Sequence, residues 1–134
     1  MVHRPRPPRE GVEGQDLARW LRRRGVRFCH VPNGGTRGKR EAAKLVAEGV
    51  EAGVPDYLVF DRPTLHPHPS PDWPERGTPV GVAIELKRVS GDSGASAEQT
   101  EWLEALRARG WVAFVAHGAK DAQRRLTEMG IGME

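Results

Sequence analysis

The chain has 134 residues, 29% of them charged and 37% hydrophobic, enough for one core without disulfide or metal staples and too apolar for a disordered chain. No apolar run approaches the roughly 20 residues needed to span a bilayer, and the basic, proline-rich segment Met1–Glu10 lacks the apolar stretch of a signal peptide. Lys and Arg outnumber Asp and Glu by 21 to 18, a net charge of +3 that does not by itself establish nucleic-acid binding. The distribution says more. Arg4, Arg6 and Arg9, then Arg19 to Arg27, then Arg37 to Arg40 crowd the first third, which suits either a solvated surface or a positive face toward phosphates. The single cysteine, Cys29, excludes an internal disulfide and fits a reducing cytoplasm.

Residues 1–11 read as a flexible basic arm, because Pro5, Pro7 and Pro8 each remove a backbone donor. Residues 12–134 read as one domain. A first helix is expected over Glu13 to Arg24, where Leu17, Trp20 and Leu21 recur at helical spacing and Gly25 stops the run. Val26 to Val31 reads as a strand, followed by a turn at Pro32-Asn33-Gly34-Gly35. Lys39 to Glu48 reads as a short second helix with Ala43 and Val46 or Ala47 facing inward. Gly53 to Phe60 and Val80 to Arg88 read as two strands, each carrying charge within an apolar run.

Between these strands, the segment 61–79 holds Pro63, Pro67, Pro69, Pro71, Pro74 and Pro79, so neither helix nor strand can run through it. It reads as a long hairpin loop or flap. His66, His68 and Asp72 lack a supporting ligand set there, which favours an exposed, proline-stiffened loop over a metal site. A third helix follows from Ala97 to Arg109, with Ser96 as N-cap and Gln99 completing a capping box. Trp111 to Ala116 is a continuous apolar run, expected of a strand covered on both faces. Asp121 to Met129 reads as a last helix with Ala122, Leu126 and Met129 inward. The order α-β-α-β-β-α-β-α predicts an α/β sandwich around a mixed sheet.

The acids carry the chemical argument. Strand side chains alternate faces, so Glu85 and Lys87 share one side while Ile84 and Leu86 take the other. Glu-x-Lys on a strand is commonly just a surface ion pair, and Pro-Asp at a strand start is ordinary turn chemistry. If the two strands pair, however, Asp56 joins Glu85 and Lys87, giving two carboxylates beside one ammonium. Such a set suits a hard divalent cation with a water made nucleophilic beside it.

Pro55-Asp56, then 28 residues, then Glu85-Leu86-Lys87 resembles the PD-(D/E)xK nuclease signature. His30-Val31-Pro32-Asn33-Gly34-Gly35, Gly49 to Asp56, Ala83 to Lys87 and Ser96 to Leu103 narrow the resemblance to the VRR-NUC branch of that superfamily. The likeness runs in order over nearly the whole chain and is to the small stand-alone versions of phages and bacteria.

The resemblance implies a restriction-endonuclease-like core and an Mg2+-dependent endonuclease, with Mn2+ able to substitute. Its substrate would be DNA, preferably four-way junctions or other branched forms, cut by a homodimer in the cytoplasm of a bacterium or phage-infected cell. It implies Asp56, Glu85 and the Leu86 carbonyl as metal ligands, joined by Glu13 or Glu10 from the first helix. Lys87 would position the attacking water and stabilise charge on the phosphate, with Gln99 beside the centre. Asn33, Gly34 and Gly35 would shape a loop near the site, and Asn33, Arg37, Lys39 and Arg40 would contact DNA. The alternative is a DNA-binding module of the same fold that has lost catalysis.

Overall fold

The computed structural model describes residues 10–32, 38–66, 70–90 and 94–132. Within them lie α1 (Glu10–Arg23), β1 (Phe28–His30), α2 (Lys39–Ala47), β2 (Tyr57–Val59), β3 (Val82–Lys87), α3 (Ala97–Ala108), β4 (Val112–His117) and α4 (Ala119–Glu128). The expected order of elements is the observed one. The strands form one sheet in the order β1-β2-β3-β4, with β1/β2 and β2/β3 antiparallel and β3/β4 parallel. The parallel pair is joined through α3, the crossover a parallel connection requires.

Strand alternation divides the core into two layers. Tyr57, Val59, Val82, Ile84, Leu86, Val112, Phe114 and Ala116 face Leu17 and Leu21 of α1 and Ala122 and Leu126 of α4. Ala83 and Ala113 turn the other way, against Leu103 of α3, with Leu58, Leu106, Trp111 and Val115 packed around them. Asp56, Glu85 and Lys87 fall by the same alternation on the α3 side of the sheet.

Two local features depart from the expectation, and a third sharpens it. α1 begins at Glu10, inside the stretch read as an arm, although Gly11 and Gly14 are poor helix formers. Gly14 is needed there, because a Cβ on it would stand 2.6 Å from the Tyr57 hydroxyl. α2 buries no residue; Ala43, Val46 and Ala47, expected to face inward, are exposed, Val46 by 66%. The two faces of the sheet pack against α1 and α4 on one side and α3 on the other, and α2 takes no part in either core layer among the described residues.

The proline-rich connection joins the antiparallel strands β2 and β3, as the expected long hairpin loop does, and its described parts lie as a strap against the sheet. The Thr64 and Leu65 amides donate to the Met129 carbonyl, and the Asp72 carbonyl accepts from the Ala113 amide at 2.9 Å. Arg107 donates to the Ala113 carbonyl from Nε and Nη2, at 3.0 and 2.7 Å. The outward backbone groups of β4 at Ala113 are thereby satisfied, protecting the sheet's edge from adventitious pairing. Trp73 packs on the core, and His66 stacks against it at 4.1 Å between ring centroids.

Candidate active site

The antiparallel ladder of β2 and β3 stops at Tyr57, which pairs with Ile84. Continuing the register by one step sets Asp56 opposite Glu85. Instead of extending the ladder, the Asp56 side chain turns onto β3, where its Oδ2 accepts the Leu86 amide at 2.8 Å. Its own carbonyl accepts from the Val31 amide at 2.7 Å and from His30 Nδ1 at 2.9 Å. Because a carbonyl can only accept, that contact puts the proton of His30 on Nδ1. Asp56 is thus fixed from two neighbouring strands. Just upstream, Gly53 adopts φ +91° where the chain passes α3, and a Cβ there would lie 2.6 Å from the Glu98 backbone.

Glu85 is 3% exposed, one of two buried charged residues among those described. Its Oε1 accepts from Gln99 Nε2 at 2.8 Å and lies 3.6 Å from Lys87 Nζ. Its Oε2 is buried and meets no hydrogen-bond donor among the described residues. Burial raises the Glu85 carboxyl from its ordinary 4.5 to about 8, and the adjacent Asp56 carboxylate adds to the rise while Lys87 opposes it. The low-dielectric surroundings and a second acid disfavour a bare negative charge here.

Gln99 ties the group together. Its Oε1 accepts from Lys87 Nζ at 3.0 Å and from the Ser96 amide at 2.8 Å, while its own amide donates to Ser96 Oγ at 3.2 Å. The expected capping box of α3 is therefore present, and the residue that closes it also bridges Glu85 and Lys87.

Asp56, Glu85, Leu86, Lys87 and Gln99 line a common open cavity of about 1400 Å³. Its other walls include His30 and Pro32 after β1, Gly53 and Val54 before Asp56, and Gln15, Arg19, Arg22 and Arg23 of α1. His30 and the α1 arginines were not singled out as site residues from sequence. The density of arginine in α1 was visible, but its direction depends on how the helix docks.

Of the two first-helix acids, Glu13 lies away from this cavity. Glu13 is 8% exposed, and its Oε2 accepts the Ala119 amide at 2.6 Å, closing the N-terminus of α4. That N-terminus begins at Gly118, with φ +94° and no side-chain cap of its own. Glu13 is not among the described residues lining the cavity, and the Glu10 side chain lies outside the described residues. Lys39 and Arg40 are exposed on α2 and do not line the cavity. Asn33, Gly34, Gly35 and Arg37 lie outside the described residues.

Among the described residues, no group of three or more His, Cys, Asp or Glu side chains is arranged to share a metal ion. What the site offers a hard cation is narrower: two carboxylates and the Leu86 carbonyl. Leu86 directs its amide to Asp56, and within a strand the carbonyl of the same residue faces the same neighbour.

Comparison with known proteins places this geometry. A solved structure described as a VRR-NUC domain protein superposes with a TM-score of 0.68 over 97% of this chain and 100% of that chain. Its sequence identity is 24%, so the likeness bears on the fold. No curated protein matches the chain. The VRR-NUC domain model matches residues 9–120, which takes in α1 through the start of α4 and the notch formed by Asp56, Glu85, Leu86, Lys87 and Gln99. The chain therefore belongs to the VRR-NUC family of PD-(D/E)xK nucleases.

Proposed function

We propose that the domain is an Mg2+-dependent endonuclease that hydrolyses phosphodiester bonds in DNA, with Mn2+ able to substitute. The observation that carries this reading is the buried Glu85 carboxyl set against Asp56: its Oε2 meets no donor among the described residues, and the two acids need a shared proton or a cation between them. A native fold seldom leaves a buried acceptor without a partner. A divalent cation fits the donor set: Asp56, Glu85 and the Leu86 carbonyl are hard oxygens, and few protein ligands suit an ion that keeps several waters. Glu10 is the candidate for a further acid, since Glu13 is engaged by the Ala119 amide. A bound divalent ion supplies charge neutralisation at the phosphate and a water of lowered pKa.

The chain's own residues then have separable tasks. Asp56 is held by the Leu86 amide, so one oxygen is oriented and its approach to Glu85 is fixed. Lys87 Nζ donates to Gln99 Oε1, which directs it beside the carboxylates, where it can hydrogen-bond an attacking water or a phosphate oxygen. Gln99 bonds both Glu85 and Lys87, which themselves form an ion pair at 3.6 Å, so one side chain holds the carboxylate and the ammonium in a fixed relation. Hydrolysis forms one bond from water oxygen to phosphorus and breaks one phosphorus–ester oxygen bond, the departing oxygen ending protonated.

Selectivity for branched DNA such as a four-way junction completes the reading. A two-fold junction is matched by a homodimer presenting one notch to each of two strands. Lys39 and Arg40, exposed on α2, add phosphate contacts. No described helix is long and apolar enough to cross a membrane.

The test is a panel of four-way junction, flap and linear duplex DNAs with Mg2+ or Mn2+. Cutting of branched substrates that stops with EDTA and is lost in Asp56→Ala supports the proposal. DNA binding without cutting under every condition replaces it with the binding-module alternative.

A further inference from the structure

The cavity that holds the notch is electrically lopsided. Its lining carries four cations, Arg19, Arg22, Arg23 and Lys87, against the two carboxylates Asp56 and Glu85. A second groove, against α3, has the opposite character, with Glu51, Glu98 and Glu101 facing Arg109. A polyanion is drawn to the first and repelled by the second.

Three of the cavity's four cations come from one helix. Arg19, Arg22 and Arg23 lie on the side of α1 that lines the cavity, while Arg24 lies over the Trp20 ring at 4.2 Å and is not part of the lining. Cations in the last turn of a helix also complement its dipole, which accounts for charge at Arg22 and Arg23. It does not account for Arg19, a full turn earlier, lining the same cavity. Gly11, Gly14 and Ala18 leave this face of the helix without bulk. Arg22 is steadied by the Phe28 ring, 5.7 Å from its guanidinium carbon. Among the described residues Arg19 pairs with Asp16 at 3.3 Å, an exposed pair of the weak kind that is readily exchanged for a phosphate.

We propose that this face of α1 is the wall on which the nucleic-acid backbone lies, with Arg19, Arg22 and Arg23 holding successive phosphates of the strand that enters the notch. The inference rests on the reading of the notch as a phosphodiesterase centre and adds where its substrate is held. Arg19 to Arg23 spans roughly 6 Å of helix axis, about two nucleotide steps of a duplex strand at roughly 3.4 Å each. The three arginines are positioning residues; the reacting groups remain those of the notch.

The experiment measures binding of a fluorescein-labelled 30-base-pair duplex and a labelled four-way junction by anisotropy across a salt series, in a Glu85→Gln background. The R19Q/R22Q/R23Q protein is expected to bind both roughly ten- to a hundredfold more weakly near 0.1 M salt, with the log–log salt slope shallower by about two to three. An R62Q/R76Q/R109Q protein loses the same charge from exposed positions outside the cavity and keeps the parent slope. The R19K/R22K/R23K protein recovers most of the slope, which separates lost phosphate contacts from lost folding. Equal binding by the α1 glutamine variant and its background overturns the proposal, as does an equal loss in the control or no binding by the Glu85→Gln protein. Failure of the nuclease reading looks different: wild type that binds through α1 yet never cuts leaves the wall standing.

Discussion

Two groups of carboxylates sit on this small sheet, and they are treated in opposite ways. At the β4 edge, Asp72 meets Arg107 at 3.3 Å and Arg125 at 3.4 Å. Asp121 next to it accepts the His117 amide and pairs with Arg124 and Arg125. Burial alone would raise Asp121, but those donors outweigh it and hold the carboxyl below its ordinary value. At the β2–β3 end, Asp56 and Glu85 are set side by side and Glu85 is pushed up to about 8. Acids that hold the fold together are given cations by neighbouring helices. Among the described residues the notch has one lysine, shared through Gln99, and a buried oxygen without a donor. The difference marks where charge is reserved for something other than stability.

The comparison is broken most directly by neutralising one acid from each group. Glu85→Gln is expected to lower DNA cutting by on the order of 10²–10³-fold or more, while melting of the metal-free protein at pH 8 holds or rises because a buried charge is gone. Asp72→Ala is expected to do the reverse. It leaves Arg107 and Arg125 short of a partner and should cost about 1–3 kcal/mol in denaturant unfolding, with cutting per folded molecule retained. An Asp72 variant as stable as wild type would show that the edge cluster is ornamental.

A pH series sharpens the contrast. The raised Glu85 pKa means that the folded state holds a proton between about 4.5 and 8 which the unfolded chain gives up. In metal-free protein its contribution is therefore present below about 4.5 and lost as pH rises toward 8, and Glu85→Gln should abolish that loss. Asp121, depressed, works in the other direction: its contribution is present above about 3.8 and lost as pH falls below that. Melting temperatures from pH 4 to 9 for wild type and Glu85→Gln check the first sign, and acid titration of Asp121→Asn checks the second. Mn2+ should raise the wild-type melting temperature more at pH 8 than at pH 6, since it competes with the Glu85 proton, and should leave Glu85→Gln nearly unmoved.

The smallest expected effect separates the two duties of Gln99. Ser96→Ala removes the reciprocal half of the α3 cap and should cost about 0.5–2 kcal/mol of stability, with little change in cutting. Gln99→Leu removes the bridge to Glu85 and Lys87 as well and should lose cutting beyond what the cap alone explains.

The grouping of Glu85, Lys87 and Gln99 was legible in the sequence because it is local in pattern, whereas Asp56 joins it only through the pairing of β2 with β3. Alternation along β3 sets Glu85 and Lys87 on one face, and Ser96 with Gln99 spells the cap that brings an amide to them. The course of the strap, the direction of the α1 arginines and the position of Glu13 were not legible, because each depends on contacts between distant residues. Nothing near Asp72 announces that its carbonyl will meet Ala113, and nothing near Gly118 says that its helix is closed from 106 positions away. The inward face expected of α2 failed for a related reason: a weakly apolar stripe is buried only where a distant part of the chain packs against it.

That long reach of Glu13 has a consequence for synthesis. The first helix docks beside the last and holds its opening turn, so the N-terminal wall of the cleft has no finished seat until residues past Ala119 have emerged from the ribosome. A nascent chain bearing Asp56, Glu85 and Lys87 still lacks the helix that Glu13 closes, so α1 gains that partner only after α4 has been made.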